Sequence, residues 1–287
     1  MKSKSLVIVT LMPLFILRAA ESEPAPNPKE SFQKATELLA STNTPGNAQM
    51  AIAYLVSAAT AGNTEAANRL GYSYETGQGV KADAAKARSW YEKAAEGGLA
   101  KAKFNLGKML ILGKGGAAGS ERGLTLLEEA ARDGIVPAQL GLGQIYYFGE
   151  YGQKQDQPRA FAFFESAAKA GNAEAQNFLG LMCRLGKGTK IDHKASSGWY
   201  LKAANQGHAK AQAAVADAYR MGSGIARDKI EAVKFYMLSA EQGEVTAKNP
   251  LAEWMPSLDP DTIAAATRRA EDFKAQLTKQ QPAPEKS

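Results

Sequence analysis

The chain has 287 residues and carries a formal net charge of +6. Lys2, Lys4 and Arg18 lie in an N-terminal targeting-like segment, and without them 32 basic residues face 29 acidic ones. The basic residues are scattered rather than gathered in one stripe, which argues against a nucleic-acid-binding protein. Alanine and glycine are abundant, strand-forming residues are sparse, and a single cysteine, Cys183, excludes an internal disulfide framework.

Residues 1–20 read as a secretory signal peptide. Two lysines precede the apolar run Ser5–Leu17, and Ala19-Ala20 follows. The run is too short to span a bilayer comfortably, since a spanning helix needs about 20 residues. Cleavage is expected near Ala20, with Arg18 at a position where a small residue is preferred. The protein is therefore expected in the periplasm or outside the cell. Residues 21–29, with Pro24, Pro26 and Pro28, read as a linker.

From there the chain repeats itself. Ala-Ala or Ser-Ala pairs begin at Ala58, Ala94, Ala130, Ala167, Ala203 and Ser239, spaced 36, 36, 37, 36 and 36 residues apart. Glycines at Gly62, Gly98, Gly134, Gly171, Gly207 and Gly243 keep the same spacings. The pairs Leu70-Gly71, Leu106-Gly107, Leu142-Gly143, Leu179-Gly180 and Val215-Ala216 run in step. The predicted division is an N-terminal helix pair or half repeat at 30–63, then five repeats at 64–98, 99–134, 135–171, 172–207 and 208–244. A degenerate repeat with a capping helix at 245–279 and a disordered tail at 280–287 complete it. The five are called repeats one to five below.

Each repeat predicts two helices. Ala66, Leu70, Tyr74 and Gly77 fall on one face of a 3.6-residue period. Gly71, Gly107, Gly143 and Gly180 sit mid-helix, where glycine costs about 1 kcal/mol against alanine and where it would let a neighbouring backbone approach. Ala87, Trp90, Tyr91, Ala94 and Ala95 form the apolar face of the second helix. Asp83, Asp156, Asp192 and Asp228 precede that helix at one register and suit an N-cap. Gly119 replaces the aspartate in repeat two, leaving open whether Ser120 caps one residue later or the helix start frays. Two short helices cannot bury their own faces, but stacked repeats can, so the expected class is an all-α solenoid.

The Leu-Gly pair, the loop Gly77-Gln78-Gly79, the capping aspartate, the aromatic pair Trp90-Tyr91 and the Ala-Ala-x-x-Gly ending together resemble the Sel1-like repeat, a relative of the tetratricopeptide repeat. The resemblance implies a right-handed solenoid of stacked helix-turn-helix units with degenerate terminal caps. It also implies a non-catalytic adaptor that binds a protein or peptide in a concave groove. A cysteine-rich branch of the family is linked to β-lactam binding or hydrolysis, but that branch pairs cysteines in every repeat and this chain has only Cys183.

Candidate sites follow from the repeat. The loop Gly113-Lys114-Gly115 matches Gly186-Lys187-Gly188 and Gly222-Ser223-Gly224, lacks a preceding strand and does not fit the phosphate-loop motif, so a turn is expected. Cys183 occupies the position of Tyr74, Leu110, Tyr146 and Tyr219, a core position. His193 and His208 have no partner at metal-ligand spacing and read as solvated. Trp90 and Trp199 read as packing residues. No catalytic set, metal site or cofactor is predicted, and a monomer is expected.

The first helices carry a second stripe outside the core register. It reads Asn68, Tyr72, Glu75 in repeat one and Phe104, Lys108, Ile111 in repeat two. It continues as Leu140, Gln144, Tyr147, then Asn177, Leu181, Arg184, then Ala213, Asp217, Arg220. An apolar and aromatic middle with a basic end suits an extended partner segment with an acidic end, the competing reading being packing between repeats. Tyr72, Phe104 and Tyr147 also admit glycan or peptidoglycan binding.

Overall fold

A computed structural model describes residues 27–41 and 44–280. The predicted signal peptide, linker residues 21–26 and tail residues 281–287 lie outside the described residues. The chain divides into two compact units, Met1–Leu99 and Ala100–Ser287. The first holds α1 (Pro28–Ala40), α2 (Pro45–Thr60), α3 (Thr64–Thr76) and α4 (Ala84–Glu96). The second holds α5 (Ala100–Ile111), α6 (Ser120–Arg132), α7 (Val136–Phe148), α8 (Gln157–Lys169) and α9 (Ala173–Leu185). It continues with α10 (His193–Asn205), α11 (Ala209–Met221), α12 (Lys229–Glu241), α13 (Val245–Trp254) and α14 (Pro260–Gln280). Within each unit consecutive helices pack on one another as far as α13, α14 packs on α12, and there is no strand among the described residues, so the fold is an all-α solenoid.

Helix α1 starts inside the stretch read as linker. The Asn27 side chain accepts from Lys29 N at 3.0 Å, and Pro28 occupies the first helical position. Proline's fixed φ suits that position and its missing N–H costs nothing there. At the other end α14 runs through Gln280, the first residue of the predicted tail.

The loop within each repeat closes in one way. Its last residue returns a backbone N–H to the first helix: Asp83 to Tyr74 at 2.8 Å, Asp156 to Tyr146 at 2.8 Å, Asp192 to Cys183 at 2.9 Å and Asp228 to Tyr219 at 3.2 Å. The aspartate carboxylates then accept from Lys86, Arg159, Ala195 and Glu231 N at 2.8–3.0 Å, the predicted caps. Gly119 makes the same backbone closure to Leu110 at 2.9 Å but provides no side-chain cap. The helix start has not shifted, and Ser120 is the first residue of α6 rather than its cap. The extra residue of repeat three is absorbed without disturbing the closure.

The loop glycines serve the turn. Gly186 and Gly188 have φ of 68° and 70°. Gly188 has a second reason to be glycine: a Cβ there would lie 2.3 Å from the Gln157 carbonyl oxygen at the start of the preceding repeat's second helix. Gly224 stands in the same relation to His193.

The mid-helix glycines differ from expectation. A Cβ on Gly71, Gly143 or Gly180 would meet a ring, that of Tyr91, Phe164 or Tyr200, at 2.5, 2.6 and 2.7 Å. Only Gly107 faces backbone, the Gly123 carbonyl at 2.8 Å. The glycine therefore makes a socket for the large residue of the second helix. Complete burial of such a ring contributes roughly 2–3 kcal/mol.

That large residue also corrects the reading of the tryptophans. Tyr91 and Phe164 are fully buried and Tyr200 nearly so, whereas Trp90 and Trp199 are half-buried. Their rings lie under Lys93 and Lys202, with ammonium groups 4.2 and 4.1 Å from the centroids. The aromatic pair thus divides into a core residue and a flanking one.

The C-terminal end is closed differently. Helix α13 is short and contains Pro250. A 3-10 turn, Met255–Ser257, leads into α14, which Asp259 caps by accepting from Thr262 N at 2.8 Å. Ala266 and Ala270 of α14 are buried, and Arg269 and Lys274 pair with Glu231 and Glu241 at 2.7 and 3.0 Å. This long helix packs on α12 and ends the stack as the predicted cap.

Candidate functional site

The second stripe splits into two kinds of position. Its third member in each repeat lies next to the buried residue of the second helix. Tyr91 donates its hydroxyl to Glu75 at 2.8 Å. The Arg184 guanidinium lies close enough to Tyr200 to favour its ionised form, against the burial that pushes the hydroxyl up. Tyr236 donates to Asp217 and accepts from Arg220 Nε at 3.1 Å. Arg220 and Asp217 also pair at 3.2 Å. A buried phenol needs a polar partner. Burial pushes the Tyr200 and Tyr236 hydroxyls up to about 12. It pushes Tyr91 higher still, helped by Glu75.

Repeats two and three place Leu127 and Phe164 at that core position, so no hydroxyl needs a partner. Their stripe residues are Ile111 and Tyr147, both buried. Tyr147 is 8 % exposed and its ring stands 6.3 Å from Phe164 and 5.6 Å from Phe178. Glu75, Ile111, Tyr147, Arg184, Asp217 and Arg220 are therefore explained by packing and satisfaction of the core. Tyr147 offers no open ring face, which removes one member of the proposed glycan-stacking set.

Of the remaining stripe residues Ala213 is buried and the others are half-buried or exposed. Tyr72 is exposed with Arg69 over its ring. Leu140 and Leu181 are half-buried against the core. Between α5 and α7 a shallow cleft of about 250 Å³ is lined by Phe104, Lys108, Ile111, Leu127, Gln144 and Ile145, with Leu112, Glu150 and Tyr151 at the loop end. Here the structure brings four predicted residues, Phe104, Lys108, Ile111 and Gln144, to one concavity. Helix α5 presents Phe104, Lys108 and Ile111 at i, i+4 and i+7, and α7 faces them with Gln144, whose amide donates to Glu174 at 2.8 Å. The walls are apolar and the rim carries a cation, an amide and a carboxylate. Such a cleft can seat one apolar side chain and hold flanking polar groups.

Two other readings change. His208 is not solvated: its Nδ1 accepts from Ala211 N at 3.3 Å, capping α11 as Asn63 and Asn172 cap α3 and α9. Burial pushes its pKa down from 6.5. His193 is exposed, and among the described residues no three or more His, Cys, Asp and Glu side chains gather as a metal site. Cys183 is buried as expected and burial pushes its thiol up, away from the reactive thiolate.

One feature escaped the sequence reading. Phe148, Leu185 and Met221 end the first helices of repeats three to five, Leu112 directly follows that of repeat two, and all four are about half exposed. They recur at the repeat spacing, so a search for repeated apolar positions outside the core period would find them.

Stacked helix pairs with a shallow cleft between first helices define a helical-repeat solenoid, a class built around extended surfaces. The profile of the Sel1 repeat matches residues 35–63, 64–99, 100–135, 136–172, 173–208 and 209–244. The chain belongs to the Sel1 repeat family. A solved Sel1 repeat protein from Oxalobacter formigenes is 28% identical, with a TM-score of 0.68 over 88% of this chain and 98% of that one. A second, c5321, a protective antigen of uropathogenic Escherichia coli, is 22% identical, with a TM-score of 0.58 over 90% of this chain and 65% of that one. The second shows the fold alone. A comparison with curated proteins returned no match.

Proposed function

We propose that this Sel1 repeat protein is a non-catalytic, monomeric adaptor, exported by its N-terminal segment, that holds an extended stretch of a partner protein in the cleft between α5 and α7. The observation that carries this reading is the cleft itself, with the apolar Phe104, Ile111 and Leu127 below a polar rim of Lys108, Gln144 and Glu150. An apolar side chain of the partner fills the concavity, and an acidic group beside it meets Lys108. Export is supported by Lys2, Lys4 and the apolar run Ser5–Leu17.

Affinity capture of the protein from the envelope fraction of its own cells, with mass spectrometry, tests both parts. The captured chain is expected to begin near Glu21. Its partner should be lost from a Phe104→Ala/Lys108→Glu variant that melts like the parent. Recovery of an intact Met1 on cytosolic protein overturns export, and an unchanged partner set in the folded variant overturns the cleft.

A further inference from the structure

The loops within repeats two to five form one edge of the second unit. Leu112 of one loop and Glu150 and Tyr151 of the next line the same cleft. The Gly188 and Gly224 loops each sit against the start of the preceding repeat's second helix. Ser197 of α10 donates to the Ser223 carbonyl at 2.6 Å, tying the last loop to that helix.

This edge carries Leu112, Phe148, Tyr151, Leu185, Ile191 and Met221, six of the nine exposed large apolar residues among the described residues. None of the six belongs to the core period, and apart from Leu112 and Tyr151, which line the cleft between α5 and α7, they share no concavity. They stand along the row of loops, interleaved with Lys114, Lys154, Lys187, Lys190 and Arg227 and with the acids Glu150, Asp156, Asp192 and Asp228, three of which are helix caps. The charge is uneven too. Segments 108–123, 144–160, 181–196 and 217–232, which contain these loops, hold twelve lysines and arginines against seven acids. The intervening segments 124–143, 161–180, 197–216 and 233–252 hold six against seven.

From this we infer that the loop edge of the second unit docks on the surface of an anionic lipid bilayer. Apolar tips set among cations are the chemistry of interfacial binding: the side chains enter the headgroup boundary and the cations meet acidic lipid. Contact is peripheral, since among the described residues no helix is long and apolar enough to cross a membrane. A row of separate tips matches a flat, fluid surface better than a shaped protein pocket, and the positive bias selects the anionic one. Docking by this edge leaves the opposite, neutral edge facing away from the lipid.

The test uses the full chain with a polarity-sensitive dye on an introduced cysteine. Cys183, only 4 % exposed, stays unlabelled. Ile191→Cys reports the loop edge, where Ile191 is 62 % exposed. Lys169→Cys reports the opposite edge, and Leu112→Cys is a second loop-edge site. Vesicles containing phosphatidylglycerol should shift the emission of dye at 191 and 112 to the blue and leave dye at 169 unmoved. Lys187→Glu/Lys190→Glu should weaken that response about thirtyfold, and added salt should do the same in kind. Loop-edge dyes that do not respond overturn the inference and return the row to a protein partner. An equal response at 169 overturns it as well, because binding would then run through another part of the chain, such as its apolar N-terminal run.

Discussion

Repeats two and three fill the buried position of the second helix with hydrocarbon, Leu127 and Phe164; repeats four and five fill it with phenols, Tyr200 and Tyr236. The facing stripe position follows that choice. It is Ile111 and Tyr147 in the first pair, Arg184 and Arg220 in the second. In repeat five the charge is engaged, Arg220 bonding Tyr236 and pairing with Asp217. Tyr72, Arg184 and Arg220 remain exposed, and of the stripe Phe104, Lys108, Ile111 and Gln144 share a concavity.

A second slot shows the same division. In repeat two Lys103 pairs with Glu129 and Asp133 at 2.9 and 3.6 Å. In repeats four and five that position is Gln176 and Gln212, which accept from Gln206 and Gln242 at 2.8 Å. Each first-helix glutamine also donates to a carbonyl of the preceding helix, Ala168 or Ala204. Repeat three is caught between the two solutions. Gln139 donates to Ala131 at 3.0 Å, but the residue that would donate to its oxygen is Ala170, and Gln139 Oε1 is buried without a partner.

The largest expected effect comes from importing a late-repeat phenol into an early repeat. Phe164→Tyr should cost about 2 kcal/mol, because the new hydroxyl is buried beside Tyr147 and Phe178 with no carboxylate or guanidinium facing it. Denaturant unfolding of Phe164→Tyr, Tyr147→Arg and the double variant closes a thermodynamic cycle. A favourable coupling of about 1 kcal/mol or more is expected, as the arginine reproduces the repeat-five pair of Arg220 and Tyr236. Additive losses would mean that the hydroxyl does not govern the stripe.

Completing the amide ladder should have a smaller effect of opposite sign. Ala170→Gln provides the missing donor to Gln139 Oε1 and should raise stability by about 1 kcal/mol, read as an upward shift in Tm. The same substitution combined with Gln139→Leu should lose the gain.

The smallest effect is confined to acid. His208 holds its cap only when neutral, and burial lowers its folded pKa below 6.5. The unfolded chain therefore binds the proton more readily. Its contribution is whole above 6.5 and is lost as pH falls through the lower folded value. Thermal melts should show His208→Asn, which copies the caps Asn63 and Asn172, losing less stability than the parent as pH drops below 6.5. Equal acid sensitivity in the two would remove His208 as a source.

Much of the fold was legible because it is periodic. Recurrent spacing exposes helix faces, aspartate caps and closing glycines, since each acts within a few residues of itself. The site was less so. The stripe was found at the right register, yet Tyr147 and Arg184 could not be told from ligand-contacting residues, because their roles depend on rings 16 or 17 positions along the chain. Trp90 and Tyr91 are adjacent apolar residues, and only the packed helix pair decides which enters the glycine socket.

The sequence by itself determined the repeat, its two helices, their caps and the class of solenoid, because local hydrogen bonding and burial period are written in neighbouring residues. The tertiary structure alone decided which stripe residues serve the core and which reach solvent, and which glycines receive a ring. It also placed the six exposed apolar residues on one edge. Those outcomes depend on how the two helices of a repeat, and neighbouring repeats, pack to within a few ångströms of one another, which spacing along the chain does not specify.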